Sequence, residues 1–262
     1  MIRLPFRQKR QLGQHFLVDA NIVGVAGRLA DLRDEDVVLE VGPGLGVLTN
    51  FLAARVAFVH AVEIDRSLAP HLSDLFATKQ DVNLVFADAL TLPLADLRPE
   101  PTKFVANLPY NVATPLVVES LDGLPTIRLW CVMVQREVAE RFFASPATKS
   151  YGAVSVLVQL TAERTGFHRV PPSVFRPPPN VESALVAFRR TRTWGPEFAR
   201  LKQIVQGAFA HRRKTLANSL ELAGVADRGD VEAALDRLSL PAGTRAEALA
   251  PDEFVRLTDS LP

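Results

Sequence analysis

Short apolar runs alternate with stretches of helical periodicity through the first two thirds of the chain. The runs are rich in β-branched residues, which is typical of buried strands. We predict six strands, at residues 37–41, 58–64, 82–86, 103–106, 127–134 and 184–188. Helical spacing of apolar residues fills most of the intervals, and Asp19 stands where it can cap the first helix. This alternation predicts βαβ units and a mostly parallel sheet.

The pattern changes near residue 196, beyond which helical segments follow one another without strands. We predict helices at residues 198–209, 215–223, 231–238 and 252–261. Prolines cluster between residues 171 and 179, which predicts an ordered or extended loop before the last strand. The expected fold class is α/β, with a Rossmann-like sheet in a domain of residues 1–192 and a small all-helical C-terminal domain at residues 193–262.

Composition narrows the class of protein. The chain has 262 residues, of which 48% are hydrophobic and 23% charged, as in a folded globular protein. Cys131 is the only cysteine, which excludes a disulfide within one chain and a cysteine-based zinc site, and the histidine spacing predicts no metal site. No apolar stretch has the length of a membrane span, and no signal-peptide core follows the basic N-terminus. We therefore expect a cytoplasmic protein with no membrane partner.

The net charge of +1 conceals two basic stretches. The first lies at residues 3–10, before any acidic residue. The second runs from residue 189 to residue 214 and contains a single acid, Glu197. Localised positive charge on a near-neutral chain favours an anionic partner.

A glycine-rich turn at residues 42–46 (GPGLG) directly follows the first long strand. Backbone N–H groups in such a turn, and the start of the next helix, can face a ligand. The Gly-x-Gly-x-Gly spacing differs from that of dinucleotide binders and argues against a dehydrogenase. Glu63 ends the second strand, where an acid accepts hydrogen bonds from ribose hydroxyls. Asp88 ends the third strand, where it can accept from the adenine amino group of the same cofactor.

The residues Asn107, Leu108, Pro109 and Tyr110 follow the fourth strand and carry the most informative chemistry. The Asn107 amide oxygen and the Leu108 carbonyl can both accept hydrogen bonds from one amino group. Proline fixes the turn and has no N–H to compete, and tyrosine offers a flat face for stacking a base. This combination predicts a site that holds the exocyclic amino group of a nucleobase.

Four segments together resemble one family: residues 11–17 (QLGQHFL), 40–46 (EVGPGLG), 107–111 (NLPYN) and 171–179 (PPSVFRPPP). They look like the small-subunit (16S) ribosomal RNA adenine dimethyltransferases, the KsgA/RsmA family, and the resemblance extends from about residue 8 to residue 188. It implies the Rossmann-like sheet of methyltransferases that use S-adenosylmethionine as the cofactor. It also implies dimethylation of two adjacent adenines in a hairpin near the 3′ end of small-subunit rRNA. The implied partner is the small ribosomal subunit or its precursor, and we expect a monomer.

The resemblance also implies roles for individual residues. Those expected to bind the cofactor are His15, Leu17, Gly42, Gly44, Glu63, Asp88 and Asn107. Those expected to act on the target base are Asn107, Leu108, Pro109, Tyr110 and Phe175. Those expected to contact RNA phosphates are Arg7, Lys9, Arg10, Arg212, Arg213 and Lys214.

His15 departs from the family pattern, and Phe175 has an alternative role. Position 15 is commonly Asn in the family and is His here, which can still donate one hydrogen bond to the cofactor. Phe175 is the candidate for the face of the base opposite Tyr110, and a core aromatic residue is the alternative.

Other functions stay open at this point. A large-subunit rRNA adenine methyltransferase of the macrolide-resistance type would share the cofactor motif, but residues 114–116 and the proline loop favour the small-subunit substrate. A DNA adenine methyltransferase would more often carry Pro-Pro-Tyr than Leu-Pro-Tyr. The protein can also be mainly a non-catalytic ribosome assembly factor.

Overall fold

The structure is a computed structural model that describes Lys9 and residues 13–262. Its residues divide into two compact units. The first comprises the chain up to Ala139 together with Arg164–Arg190, and the second comprises Glu140–Glu163 together with Thr191–Pro262. The segment Glu140–Glu163 therefore lies in the second unit, whereas the expected boundary placed it in the first domain. It carries a buried helix that packs on helices of the C-terminal region.

Nine strands form in the described residues: β1 Phe16–Leu17, β2 Val37–Val41, β3 Phe58–Glu63, β4 Val82–Phe86, β5 Lys103–Asn107, β6 Leu129–Gln135, β7 Ala162–Val170, β8 Phe175–Arg176 and β9 Ser183–Arg190. The six predicted strands are confirmed, with ends that differ by at most a few residues. Seven strands make one sheet in the order β4-β3-β2-β5-β6-β9-β7. The pairs β4–β3, β3–β2, β2–β5 and β5–β6 are parallel, and β6–β9 is antiparallel.

The strand order reverses beside β2. The chain runs outward through β3 and β4, then returns to place β5 on the other side of β2. Ligands of open α/β sheets bind outside the carboxyl ends of the strands at such a reversal. The glycine turn follows β2 and Asn107 ends β5, so the topology brings these two motifs to the same edge.

The pairing of β1 with β8 was not predicted. Each strand has two residues, too short for a periodic pattern, and they lie far apart in sequence. Strand β7 was not predicted either, because most of the residues between its two buried ends are polar and exposed. The proline-rich segment is ordered, as expected, and holds a short 3-10 turn at Pro172–Val174 followed by β8.

Ten α-helices form in the described residues: α1 Ala20–Leu29, α2 Val47–Ala53, α3 Ala69–Leu75, α4 Ala113–Gly123, α5 Arg136–Phe142, α6 Ala153–Thr161, α7 Glu197–Ala210, α8 Leu216–Leu222, α9 Arg228–Arg237 and α10 Pro251–Asp259. The Asp19 carboxylate caps α1 by accepting from the N–H groups of Asn21 and Ile22, as predicted. In the second unit α6, α7, α8, α9 and α10 pack together, which confirms the helical C-terminal region. Among all the residues that the structure describes, no helix is long and apolar enough to span a membrane.

Cys131 and Phe175, both in the first unit, belong to the hydrophobic core. Cys131 is fully buried in β6, where its thiol donates to the Ala26 carbonyl, and burial raises its pKa to about 12. The Phe175 ring is also fully buried, in the same apolar cluster as Leu17 and Ile22. The expectation that Phe175 stacks on the target base is wrong for this structure, because pairing of β1 with β8 turns its ring into the core.

Arg190, in the second basic stretch, has a structural role. Its guanidinium donates to the carbonyl oxygens of Ile127 at 2.7 Å, Leu121 at 2.8 Å and Leu124 at 3.1 Å, and it lies over the Trp130 ring. Burial lowers its pKa to about 10. Arg190 therefore stabilises the end of α4 and is not available to RNA.

Candidate cofactor and adenine site

Two adjoining clefts open at the carboxyl ends of β2, β3 and β5. Both are concave and are lined by apolar side chains with a few polar groups, as small-molecule sites usually are. Gly42, Glu63, Ile64 and Pro109 line both clefts, so the two form one continuous site. The structure thus brings together the predicted residues that follow three strands.

Glu63 is buried at the end of β3 and is held by two backbone amides. Its Oε1 accepts from the N–H of Asp65 at 2.8 Å, and its Oε2 accepts from the N–H of Gly44 at 3.1 Å. Burial raises the pKa of Glu63, and these two amides oppose the shift. The carboxylate is fixed in place and retains lone pairs that can accept from a diol.

The glycine turn contains two glycines with positive φ that lie next to other segments of the chain. Gly42 has φ +78°, and a Cβ there would lie 3.4 Å from the Pro109 ring. Gly44 has φ +57°, and a Cβ there would lie 2.9 Å from the Phe16 ring. Glycine is favoured at both positions because other L residues rarely adopt this backbone region, and at Gly44 the Phe16 ring would also have to shift. The turn is therefore packed directly against the Asn107–Tyr110 segment and the N-terminal segment.

Asp88 lines the second cleft, between two exposed apolar side chains. Ile64 is 48% exposed and Leu90 is 43% exposed, and both line this cleft. Asp88 Oδ1 accepts from the N–H of Leu90 at 2.9 Å, which fixes the carboxylate. Sequence reasoning missed Ile64 and Leu90, since an apolar residue after a strand has no pattern that separates core from ligand contact. Exposed apolar surface beside an acid suits a purine that carries an amino group.

Asn107 is oriented by a hydrogen bond that leaves its oxygen available. Its Nδ2 donates to the carbonyl oxygen of His15 at 3.2 Å. Because a carbonyl only accepts, this bond assigns the nitrogen and places Oδ1 on the other side. Among the described residues Oδ1 has no hydrogen-bond partner. Asn107 and Leu108 both line the first cleft, as predicted.

Tyr110 is held at both its hydroxyl and its ring. The hydroxyl is 2.6 Å from Oγ of the buried Ser183, at the start of β9. The His15 ring stacks on Tyr110 with centroids 5.5 Å apart and planes at 29°. His15 Nδ1 lies 2.9 Å from the carbonyl oxygen of Pro177, so Nδ1 carries the hydrogen. His15 and Leu17 both line the first cleft.

Glu40 is an acid of this site that the sequence reasoning did not select. It is 1% exposed in the middle of β2 and lines the first cleft, and its Oε2 has no hydrogen-bond partner among the described residues. Burial raises its pKa to about 8, with the Thr49 hydroxyl opposing the shift and the Glu63 carboxylate adding to it. An acid inside an otherwise apolar strand was the available signal.

This pKa predicts a pH-dependent stability. Between about pH 5 and pH 8 folded Glu40 keeps a proton that the unfolded chain releases, so the free energy of unfolding falls as pH rises, by at most about 1.4 kcal/mol per pH unit. Glu40→Gln should flatten this slope, as measured by urea denaturation across the range. The exposed Glu35→Gln is the matched control. Equal slopes in wild type and Glu40→Gln would contradict the prediction.

The predicted RNA contacts fall into three groups. Arg7 and Arg10 lie outside the described residues. Lys9 is engaged in an ion pair with Asp65, with Nζ 2.6 Å from Oδ1. In the second unit the basic residues Arg212, Arg213 and Lys214 line a concave surface between α7 and α8.

These three cations differ in what holds them. Arg212 donates to the carbonyl oxygens of Lys149 and Tyr151, both at 3.2 Å, and lies 3.6 Å from the Glu247 carboxylate. For the side chains of Arg213 and Lys214, both exposed, the described residues provide no hydrogen-bond partner or ion pair. Arg213 and Lys214 are therefore the members of this group that are available to an anion.

Comparison with known proteins gives concordant matches. Residues 5–261 match the family model described as ribosomal RNA adenine dimethylase. The chain is 45% identical to ribosomal RNA small subunit methyltransferase A of Rubrobacter xylanophilus, covering 96% of this chain and 94% of that protein. It is 39% identical to the protein of the same name from Geobacter metallireducens, covering 97% and 96%.

Solved structures show the same fold. A dimethyladenosine transferase from Plasmodium falciparum superimposes with a TM-score of 0.76 at 23% identity, covering 93% of this chain and 96% of that one. The 23S rRNA methyltransferase ErmE superimposes with a TM-score of 0.65 at 31% identity, covering 94% and 99%. With a family model that matches nearly its whole length, this chain belongs to the ribosomal RNA adenine dimethylase family.

Proposed function

We propose that this protein transfers methyl groups from S-adenosylmethionine to the exocyclic amino nitrogens of two adjacent adenines near the 3′ end of small-subunit (16S) rRNA. The observation that carries the proposal is Asn107, which lines the same cleft as Glu63 and the glycine turn and whose Oδ1 has no partner among the described residues. The substrate is chosen on the relatives that are 45% and 39% identical to this chain and bear a small-subunit name. We place this activity in the cytoplasm.

The residues of the cleft fit an adenosine that carries a cationic amino-acid tail. Glu63 would accept from the ribose hydroxyls, and Asp88 would accept from the adenine amino group, with the ring between Ile64 and Leu90. Gly42 and Gly44 would lie against the methionine portion, in the cleft that Glu40 also lines. His15 and the Leu17 backbone would close the site.

Methyl transfer to an adenine amino group is difficult because the nitrogen lone pair is delocalised into the ring. S-adenosylmethionine supplies a methyl group that its sulfonium has already activated. Hydrogen bonds from the amino group to Asn107 Oδ1 and the Leu108 carbonyl would favour a tetrahedral nitrogen, whose lone pair then points at the methyl group. Pro109 keeps this segment rigid. The proton becomes acidic once the nitrogen is methylated and leaves to water.

Tyr110 would stack on the target base. The base must leave its own stack to enter the cleft, which costs a few kcal/mol, and stacking on an aromatic ring returns about 1–3 kcal/mol. Ser183 fixes the ring through the tyrosine hydroxyl, and His15 already covers one ring face. We assign the other face to the base.

The large-subunit alternative keeps one specific argument, the 31% identity to a 23S rRNA methyltransferase of the same fold. The decisive experiment is transfer of labelled methyl from S-adenosylmethionine to unmethylated small subunits, large-subunit RNA and DNA in parallel, with the modified nucleoside identified. We expect dimethyladenosine in the small subunit alone. Label confined to large-subunit RNA would overturn the choice of substrate.

The basic surface between α7 and α8 predicts a salt-dependent RNA affinity. Arg213→Gln combined with Lys214→Gln should weaken small-subunit binding and lower the slope of log affinity against log salt by about two, one per lost phosphate contact. Filter binding over a salt series measures both. An unchanged slope would remove these two residues from the RNA contact.

Two controls separate charge from fold in that experiment. The exposed pair Arg28→Gln and Lys79→Gln removes the same charge elsewhere and should leave the slope unchanged. Arg212→Gln should lower the melting temperature as well, because Arg212 holds two carbonyl oxygens of its own unit.

A further inference from the structure

The Asp65 carboxylate, two residues after the end of β3, binds side chains of the N-terminal segment. Its Oδ1 accepts from Lys9 Nζ at 2.6 Å, and its Oδ2 accepts from Gln14 Nε2 at 2.7 Å. Oδ1 also accepts from the N–H and hydroxyl of Ser67. The Asp65 side chain is 2% exposed, whereas that of Lys9 is 49% exposed. Burial alone would raise the pKa of Asp65, but these hydrogen bonds outweigh it and lower the pKa.

The segment that Asp65 holds lines the proposed cofactor cleft. We call Lys9 together with residues 13–17 the strap. Gly13, Gln14 and His15 of the strap line the cleft, and Phe16 packs on the glycine turn. The far end of the strap is β1, fixed by pairing with β8. The strap is thus held at both ends, by Asp65 and by β8.

The anchor of the strap is also bonded to the proposed ribose acid. The N–H of Asp65 donates to Glu63 Oε1, and Glu63 Oε2 accepts from the N–H of Gly44. A continuous path of hydrogen bonds therefore joins Lys9 and Gln14 to the residues assigned to the cofactor. Residues 63–65 therefore connect the strap to the cleft, so a movement of the strap and the binding of a ligand would both affect them.

We propose that Asp65 is a positioning residue that clasps the strap over the bound cofactor, and that Lys9 serves this clasp and not RNA. The inference rests on the proposed function. If Lys9 moved to a phosphate, a buried carboxylate would lose its cation, which is costly. Each methyl transfer uses one donor molecule, so the clasp must open between successive transfers to let the product leave.

The test uses Asp65→Asn in the full-length protein. Asparagine keeps an oxygen for the cap on Ser67 but removes the charge that holds Lys9. We expect S-adenosylhomocysteine to dissociate about tenfold faster, the effect of losing a charge-assisted hydrogen bond, as measured by stopped-flow fluorescence. Amide hydrogen exchange at residues 13–18 should also quicken in the ligand-free protein.

Lys9→Gln removes the same ion pair from the other side. It should accelerate dissociation and exchange, though less than Asp65→Asn, which also loses one acceptor oxygen and the charge that faces Gln14. The double variant should match Asp65→Asn, because the Lys9 ion pair is already lost there. The exposed Asp74→Asn on α3 is the charge-matched control. Small-subunit affinity and its salt slope should stay at the wild-type value in all of them.

The opposite pattern would overturn the proposal. In that pattern, Lys9→Gln would reduce the slope of log small-subunit affinity against log salt by about one. Asp65→Asn would leave both S-adenosylhomocysteine dissociation and amide exchange unchanged. Absence of any S-adenosylhomocysteine binding by the wild type would instead count against the proposed function. Amide exchange in the ligand-free protein would still decide whether Asp65 holds the strap.

Discussion

Asn107→Ala is expected to lower the single-turnover rate of methyl transfer about 100-fold, the typical loss when one preorganised polar group at a reacting centre is removed. The reason is the geometry of its amide, in which Nδ2 donates to the His15 carbonyl and Oδ1 is left without a partner among the described residues, in a side chain that lines the cleft. The rate is measured with labelled donor and small subunits, both saturating. Affinity for S-adenosylhomocysteine should change far less than the rate.

Two further variants make this result specific. Asn107→Asp keeps an acceptor oxygen but loses the donor to His15, so we expect a rate between those of wild type and Asn107→Ala. Asn50→Ala, on the exposed face of α2, should behave as wild type. A wild-type rate in Asn107→Ala would show that the amino group is held elsewhere.

Glu63→Ala is expected to weaken S-adenosylhomocysteine binding by about 100-fold, since two hydrogen bonds to a charged acceptor would be lost. The variant also leaves the N–H groups of Gly44 and Asp65 without their acceptor, so the melting temperature is measured alongside calorimetric titration. Glu35→Ala, an exposed acid, is the control. Unchanged affinity in Glu63→Ala would place the ribose away from β3.

The same variant separates catalysis from a role in ribosome assembly. A strain that carries Glu63→Ala should lack dimethyladenosine in its small subunits. If its growth and its subunit profile match the wild type while deletion of the gene impairs both, the principal role is that of an assembly factor.

The residues at strand ends were accessible from sequence because the strands themselves were. Apolar β-branched runs identified β2 to β5, and a parallel sheet then places Gly42, Glu63, Asp88 and Asn107 at one edge by geometry alone. The roles expected for them follow from the chemistry of the side chains together with the family resemblance. The family resemblance supplied the substrate, which spacing does not encode.

What sequence reasoning missed depends on contacts between distant segments. The Lys9–Asp65 ion pair joins residues 56 positions apart, and no local pattern announces it. The burial of Phe175 follows from a two-residue strand pairing that periodicity cannot detect. Ile64 is apolar in a β-rich run and reads as core until the structure shows it exposed in a cleft.

The seclusion of Cys131 has a practical consequence. A thiol that is fully buried and protonated reacts very slowly with maleimides or oxidants, because the thiolate is the reactive form. Thiol-labelling reagents should therefore leave the native protein almost unmodified. A fluorophore attached to one engineered surface cysteine would report on a chosen site, without first deleting any native residue.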